Sequence, residues 1–436
     1  MLEYYADSSC IRFHMPGHGG EGYNGFLKEV YRYDVTENSG TDNLYTPNKG
    51  GAVEKTLEKL RNTFGSKASV ISAHGATAAI QSAVYSCIHL KGKRFLIDRY
   101  SHASVINAMA LCGCEFEYFS SYDALSDLLN KNKNSTVILT SPNYYGKMED
   151  IKRYSSLCHD NGCLLIVDNS HGAHMIWHCE NSHPISNGAD FSIDSFHKTL
   201  PVLTGGAVLH SNVCDEKLML DGIKLFSSTS PSYLIAASVD TALDFMNSYG
   251  EEYLSKLREN IYVFTEKIKN SGVVRKEFGI FDPYRITLTS SVCDSGLAFD
   301  MNELCTFLEN RNIFPEFSDA ESCVLIPSVF STGDDFSALA DAVLEFTASA
   351  SKIKIGKRVM KYPICERKIP ISDAVFRNRI TLSVKDAENM VSGEIKYVYP
   401  PGIPIITPGE IISGDIVKIL TENNIHEIDV IEYEKC

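Results

Sequence analysis

The sequence lacks any apolar run long enough to cross a membrane and has no C-x-x-C pair among its 13 cysteines. Its first residues, Met1 to Asp7, contain neither the basic nor the apolar stretch of a secretory signal. Scattered cysteines in a chain of 436 residues are typical of reduced thiols rather than of a disulfide framework. These absences predict a cytoplasmic protein without a membrane partner.

Concentrated positive charge is also absent. The 41 lysines and arginines are spread along the chain and are outnumbered by 55 acidic residues, which gives a formal net charge of -14. Nucleic-acid-binding proteins usually present a clustered basic surface to the phosphates, so the composition argues against such a partner. The hydrophobic content of 44% and the charged content of 22% are typical of a globular enzyme and argue against a disordered or fibrous chain.

Short apolar runs alternate with helical patterns in the first half of the chain. The runs cover residues 68–72, 94–98, 136–140, 164–168 and 191–194. Such alternation predicts an α/β fold with a mostly parallel central sheet and helices on both faces. Ligands bind beyond the carboxyl ends of the strands in such sheets, so the residues that follow each run are the candidates for chemistry.

Three regions are predicted along the chain. Residues 1–50, rich in Gly, Pro, Asn and Asp, form an irregular arm. Residues 51–250 form a large domain, whose first helix begins near Ala52 and ends at Gly65. A long helical stretch from residue 233 to 269 leads into a smaller α/β domain over residues 251–436.

Asp168 and Lys198 follow two of these runs. A strand-end carboxylate can keep the ring nitrogen of pyridoxal 5'-phosphate (PLP) protonated, which makes that cofactor an electron sink. A lysine fixed beside the cofactor can form an imine with it. Considered alone, however, Asp168 is also compatible with a residue that caps a turn, and Lys198 is also compatible with an ordinary surface lysine.

The turn Gly75-Ala76-Thr77 precedes a predicted helix, whose exposed N–H groups and dipole favour a phosphate. His102 ends the next run and can stack on a flat ring. A simple helix cap and a structural histidine are the alternatives for these two features. Phosphate turn, histidine, aspartate and lysine nevertheless occur in the order that PLP enzymes with the aspartate-aminotransferase fold require.

A zinc site is the competing interpretation of the segment that contains His171, His174, His178 and Cys179. The segment lacks the H-E-x-x-H pattern of a metalloprotease. Imidazoles beside a cofactor have simpler uses, so no metal site is predicted.

Motifs along nearly the whole chain resemble those of the bacterial ornithine/lysine/arginine decarboxylases, PLP-dependent enzymes of fold type I. The matching segments are His14–His18 (H-x-P-G-H), Asp34–Glu37, Gly40–Leu44, Asp98–His102, Thr140–Gly146, Asp168–His174, Ser195–Pro201 (S-x-H-K-T-L-P), Ser228–Tyr233 and Tyr399–Glu410. The short start before His14 leaves no room for the receiver-like domain of larger family members, so the large rings that use that domain are not expected.

The resemblance implies a role for each matching residue. Lys198 would bind PLP covalently, Asp168 would pair with the ring nitrogen, His102 would stack on the ring and His171 would lie near its phenolic oxygen. Phosphate contacts are implied for Ala76, Thr77, Ser195 and His197, with Gly75 in the same turn, and Ser230 would reach the cofactor of the partner in a homodimer with active sites at the interface.

For the substrate, the segment around Glu316 resembles the family's V-E-x-x-D. Glu316 would contact the distal cationic group of lysine, arginine or ornithine through charge-assisted hydrogen bonds. The implied reaction is decarboxylation to an amine of polyamine biosynthesis, with His102 or Lys198 as the proton donor to Cα.

Three departures and two rival functions accompany this interpretation. Gly19 stands where the family has Lys, Asn169 replaces an acidic residue, and Gly205-Gly206 replaces Gln. An aminotransferase or another PLP lyase would share the cofactor site, with a carboxylate-binding arginine drawn from Arg285, Arg367, Arg377 or Arg379. A PLP-binding homologue without activity is the second rival.

Overall fold

The computed structural model describes residues 27–37, 42–291, 297–354, 362–398 and 402–432. The motif His14–His18, Gly19 and the segment Tyr399–Pro401 lie outside these ranges. The α-helices are α1 Leu27–Tyr33, α2 Ala52–Phe64, α3 Gly75–Lys91, α4 Ala103–Cys112, α5 Tyr122–Leu129, α6 Ile151–Asp160, α7 Phe196–Thr199, α8 Glu216–Phe226, α9 Tyr233–Ile268, α10 Met301–Glu309, α11 Gly333–Ser349, α12 Ile371–Ala374 and α13 Gly414–Glu422. Short 3-10 helices cover Ala173–Trp177 and Pro184–Asn187.

The strands of the first half are β1 Ala68–Ser72, β2 Arg94–Asp98, β3 Glu115–Phe119, β4 Thr136–Thr140, β5 Leu164–Asp168, β6 Phe191–Asp194 and β7 Ala207–Ser211. Those of the second half are β8 Val273–Arg275, β9 Ile286–Ser290, β10 Leu297–Ala298, β11 Phe317–Ser318, β12 Ser322–Leu325, β13 Ile353–Lys354, β14 Arg379–Ser383, β15 Lys396–Tyr397, β16 Pro404–Ile406 and β17 Glu427–Ile431. All five predicted runs of the first half are therefore strands, with the predicted bounds.

The first seven strands form one sheet in the order β1-β7-β6-β5-β4-β2-β3. β5 and β6 are parallel, whereas β7 runs antiparallel to both β6 and β1. The predicted fold class, a mixed α/β fold with a mostly parallel central sheet, is confirmed. β5 and β6 are buried along their whole length, as expected for strands covered on both faces.

Helix α2 shows how the apolar spacing specifies burial. Val53, Leu57, Leu60 and Phe64 recur every three to four residues and are all buried. Gly65 ends this helix, as predicted.

Strands β3 and β7 were not predicted. In β3 the first four residues alternate between exposed and half-buried positions and only Phe119 is buried, so no continuous apolar run marks the strand. In β7 the run contains His210 and follows two glycines, although every residue of the strand is buried. A polar residue within a buried strand weakens the sequence signal but not the strand, because Nδ1 of His210 lies 2.8 Å from the buried Ser69 hydroxyl, which is its hydrogen-bonding partner.

The chain divides into two compact units. The first comprises Met1–Arg94, Leu129–Ile138 and Ile151–Ser248, and the second comprises Phe95–Leu128, Leu139–Asp150 and Tyr249–Cys436. The predicted long helical stretch is the single 36-residue helix α9. The domain boundaries near residues 50 and 250 stay a prediction.

The second unit contains several small sheets. Strands β11, β12, β9 and β8 form a four-stranded sheet in that order, and β14 pairs with β17. An apolar cluster near the C-terminus includes Ile405, Ile416, Leu420 and Ile428, all fully buried. In the described part of the chain, no helix is both long and apolar enough to cross a bilayer.

Candidate active site

Asp168 is the last residue of β5 and is only 3% exposed. Its Oδ1 accepts hydrogen bonds from the backbone N–H of Ser170 at 3.2 Å and from the Ser170 hydroxyl at 2.5 Å. Oδ1 accepts both hydrogen bonds, and neither bond within this turn involves Oδ2. The strand end therefore holds a buried carboxylate in a fixed orientation.

Lys198 lies in α7, the single helical turn that follows β6. Its Nζ is 3.1 Å from Nε2 of His171, and His171 is buried in the turn after β5. The side chain of Lys198 is exposed, whereas Phe196 at the start of the same turn is fully buried. Packing of Phe196 fixes the turn, so the lysine has an anchored backbone and an accessible amine.

Ser195 and His197 flank the start of this turn. The Ser195 hydroxyl is 3.3 Å from His197 Nδ1, and that nitrogen lies 3.1 Å from the Gly206 carbonyl, to which its N–H donates. Burial lowers the pKa of His197, the Gly206 carbonyl opposes this, and the charge of Lys198 adds to the lowering. A neutral imidazole beside the lysine is the result.

The turn before α3 is a backbone cradle. Gly75 has a φ of +74°, and a Cβ added to it would meet no atom within 4 Å. Ala76 and Thr77 follow in the first turn of α3, where helix N–H groups have no helical acceptor. N–H groups at a helix start can bind a phosphate, and Ala76 and Thr77 supply them here.

The departure at Gly205 is explained by this cradle. The Gly205 carbonyl accepts the N–H of Gly75 at 2.8 Å, and Gly205 itself has a φ of +94°. Such a conformation strains any residue with a side chain. Together, Gly205 and Gly206 connect the Gly75 turn to His197, a function that sequence reasoning did not identify.

His102 belongs to the second unit and caps α4. Its Nδ1 accepts the Ser104 N–H at 3.1 Å and lies 2.8 Å from the Ser104 hydroxyl. Because Nδ1 is an acceptor there, the neutral ring carries its proton on Nε2. The cap thus selects one tautomer of the histidine that was predicted to stack on the cofactor.

Glu316, also in the second unit, is exposed and immediately precedes β11. Its Oε1 accepts a hydrogen bond from the Tyr144 hydroxyl at 2.5 Å. The neighbouring Tyr145 donates to Asp319 at 2.9 Å, and both tyrosine rings contact Phe317 edge-on. Sequence reasoning missed both tyrosine contacts, although the matching motif Thr140–Gly146 contains the two residues.

The arginines named for a carboxylate differ in their surroundings. Arg367 is bound to Glu410 at 3.0 Å and to Thr407 at 2.9 Å, and Arg379 donates to the Val375 carbonyl. Arg285 is 3% exposed, and burial lowers its pKa against the opposing charge of Asp282. Arg367 and Arg379 are thus bonded to neighbouring residues, Arg377 is exposed, and Arg285 is the buried member of the set.

Ser230 is exposed in a loop whose geometry is fixed by its neighbours. Its N–H donates to the Ser228 hydroxyl at 3.1 Å, and the Ser228 N–H donates to Nε2 of His74 at 3.4 Å. His74 is the N-cap residue of α3, so this loop adjoins the Gly75 cradle. Within the described ranges, no group of three or more His, Cys, Asp or Glu residues is arranged to hold a metal ion.

The residues of the first unit fit PLP. They supply a helix-start cradle for the phosphate, a buried carboxylate for the ring nitrogen and an amine for the covalent link. In addition, the buried Oγ1 of Thr199, next to Lys198, has no hydrogen-bond partner among the residues that the structure describes. Buried polar atoms are normally satisfied, so this hydroxyl is available to a bound ligand.

Similar proteins support this assignment. The model of the aminotransferase class I and II family matches residues 26–285, well over half of the chain. The arginine decarboxylase of Halalkalibacterium halodurans is 25% identical and aligns over 96% of this chain and 91% of its own length. The arginine decarboxylase of Bacillus anthracis is also 25% identical and aligns over 97% of this chain and 92% of its own length.

Among solved structures, the lysine decarboxylase of Francisella novicida has a TM-score of 0.83 at 18% identity. The match covers 99% of this chain and 80% of the Francisella chain. The constitutive lysine decarboxylase of E. coli has a TM-score of 0.78 at 16% identity. The match covers 99% of this chain and 81% of the E. coli chain. These likenesses confirm the predicted resemblance and the fold. The chain belongs to the aminotransferase class I and II family, and PLP is its cofactor.

Proposed function

We propose that the chain decarboxylates a basic amino acid, namely arginine, lysine or ornithine, to the corresponding amine. It is thus a PLP-dependent amino-acid decarboxylase. The observation that carries this proposal is the group formed by Asp168, His171 and Lys198 at the ends of β5 and β6, with the lysine amine 3.1 Å from the imidazole. Near-full-length similarity to arginine decarboxylases supports the choice of reaction.

Each residue of the cofactor site has a proposed task. Lys198 links the cofactor covalently, and Asp168 holds the proton of the ring nitrogen. The Gly75-Ala76-Thr77 turn binds the phosphate, with Ser195 and His197 on its other side. When bound, PLP supplies the electron sink that accepts the charge left after carbon dioxide departs.

His171 and His102 act on protons and orientation in this proposal. His171 Nε2 lies within hydrogen-bond reach of the Lys198 amine and can hold or return its proton. His102, with its proton on Nε2, supports the ring as a neutral imidazole. The proton that replaces the carboxylate comes from Lys198 or His102.

Glu316 is the proposed contact for the distal cation of the substrate. The hydroxyl of Tyr144 fixes one oxygen of this carboxylate, which leaves Oε2 to receive an ammonium or guanidinium group. The carboxylate alone does not choose among the three cations, but the relatives that align over nearly the whole chain are named arginine decarboxylases. For this reason we place arginine first among the three substrates.

The oligomer and the location are part of the proposal. A homodimer with active sites at the interface agrees with the exposure of Ser230, which would reach the partner's cofactor. A cytoplasmic location agrees with the cysteines, all of which are free thiols in the described part of the chain.

The proposal is tested by assaying the purified enzyme with added PLP on arginine, lysine and ornithine. Carbon dioxide and the amine should form in equal amounts from at least one of them. Formation of a 2-oxo acid with a pyruvate or 2-oxoglutarate acceptor would instead identify an aminotransferase. PLP-loaded enzyme that releases no carbon dioxide from any of the three would contradict the proposal and favour a non-catalytic homologue.

A further inference from the structure

Asp194, the last residue of β6, is fully buried and surrounded by hydrogen-bond donors. Its Oδ1 accepts from the Asn169 amide at 2.7 Å and from the Ser192 hydroxyl at 3.0 Å. Its Oδ2 lies 2.7 Å from His183 Nε2 and 3.3 Å from His210 Nε2. Three hydrogen-bond donors and a second imidazole thus surround a single buried carboxylate.

Residues beyond Asp194 fix the orientation of the two imidazoles, His183 and His210. Nδ1 of His183 accepts the Ile185 N–H at 3.3 Å, so its proton is on the nitrogen that faces Asp194. Nδ1 of His210 lies 2.8 Å from the Ser69 hydroxyl, and the Phe64 ring stacks on His210 at 4.1 Å between centroids. The donors are therefore fixed before any ligand binds.

Asp194 is ionised in these surroundings. Burial alone would raise the pKa of its carboxyl group, but the adjacent imidazoles of His183 and His210, His183 above all, outweigh burial and hold the pKa well below its usual range. A permanently charged acceptor then faces Asn169.

Asn169 connects this carboxylate to the cofactor site. It directly follows Asp168, and its carbonyl accepts the Gly172 N–H at 2.9 Å, which closes the turn after β5. Its side chain ties that turn to Asp194, while Ser170 within the turn orients Asp168. An acidic residue at position 169 would place a second negative charge against Asp194, whereas an amide donates to it.

We propose that Asp194 and Asn169 are matched positioning residues, which hold the turn after β5 so that Asp168 meets the ring nitrogen of PLP. The departure at Asn169 is then an adaptation to Asp194 and not a loss of function. This inference rests on the proposed function only for the role of Asp168.

The test compares Asn169→Ala and Asp194→Asn with the wild type in two measurements. The first is the dissociation constant for PLP, and the second is the pH at which the visible band of the Lys198–PLP linkage changes. Both variants should bind PLP about tenfold more weakly, and the pH at which the visible band changes should shift. A loss of this size is typical when residues that orient the ligands of a metal site are replaced. Unchanged affinity and an unchanged pH midpoint in folded Asn169→Ala protein would overturn the proposal, even where Asp194→Asn fails to fold.

Asp190→Asn is the matched control. Asp190 is also a buried carboxylate between β5 and β6, but it lies at the opposite ends of these strands, where its Oδ2 accepts from Leu165 N at 2.7 Å and faces His159 at 3.0 Å. This variant should lower stability without altering either cofactor measurement. Equal cofactor effects at positions 190 and 194 would show a merely structural role and overturn the proposal.

A double variant, N169D/D194N, exchanges the carboxylate and the amide. It should recover PLP affinity to within about threefold of the wild type, because partners in direct contact couple. A double variant no better than the weaker single variant would refute the pairing. Both measurements follow PLP binding, so they stay interpretable if the enzyme releases no carbon dioxide from basic amino acids.

Discussion

The amine of Lys198 lies 3.1 Å from Nε2 of His171, so the turn after β5 and the turn after β6 meet through these two side chains. Two strand ends that are parallel neighbours thereby supply a nucleophile and a proton acceptor at one place. In addition, Asp168 ends the first of these strands.

Replacing Asp168 by Asn should preserve folding but reduce decarboxylation by about 100-fold or more. The amide keeps the size and hydrogen-bonding capacity of the side chain but removes the charge that favours a protonated ring nitrogen. Steady-state rates together with circular dichroism would check this result. Near-normal turnover would rule out the proposed role of Asp168.

Gly75→Ala should weaken PLP binding several-fold. The added methyl group meets no neighbour, so its effect would come from the positive φ of Gly75, which costs about 1–2 kcal/mol for a residue with a side chain. Gly279→Ala is the matched control, because a Cβ at that exposed glycine also meets nothing within 4 Å and its φ is not positive. Equal PLP affinities in the two variants would contradict the role of the cradle.

Tyr144→Phe should raise the KM for the basic amino acid about threefold to tenfold, with a smaller change in kcat. The lost hydroxyl bond, worth about 1 kcal/mol, leaves the Glu316 carboxylate free to rotate. Tyr145→Phe removes the analogous bond to Asp319 and should leave the KM nearly unchanged. If both variants behave alike, Glu316 is not the substrate contact.

The free energy of unfolding should decrease as the pH falls below about 6.5, in part because of His210. Burial lowers the pKa of this imidazole below its ordinary value of 6.5, although Asp194 opposes the shift. The unfolded chain therefore takes up a proton that the folded chain does not, which changes stability by up to about 1.4 kcal/mol per pH unit.

His210→Gln should flatten this dependence between pH 7 and pH 5 in denaturant unfolding experiments. The same substitution at the exposed His89 is the control. An identical slope in wild type and His210→Gln would show that His210 does not contribute.

The sequence pattern was sufficient to predict strands β5 and β6 with their bounds, and with them the places of Asp168 and Lys198. Apolar runs that end in a polar residue are local features, so they can be read without the fold. The positive φ of Gly205 and the tautomer of His102, in contrast, depend on backbone geometry. No residue pattern specifies these.

Contacts between distant parts of the chain were the least predictable. Tyr144 and Glu316 are 172 positions apart, and Asn169 and Asp194 are 25 apart. Asn169 looked like a departure from the family because its partner, Asp194, was not apparent from the sequence. Such pairs become visible only in the folded chain, where Asn169 and Asp194, for example, lie at the ends of the paired strands β5 and β6.

The most direct test of the account is to reduce the PLP-loaded enzyme with borohydride and to locate the attached cofactor by peptide mass spectrometry. Reduction converts the imine to a stable amine, so the modified lysine can be identified. We predict phosphopyridoxyl on the peptide that contains Lys198 and none after Lys198→Ala. Attachment at another lysine, or an unchanged visible band in Lys198→Ala, would contradict the assignment of the site.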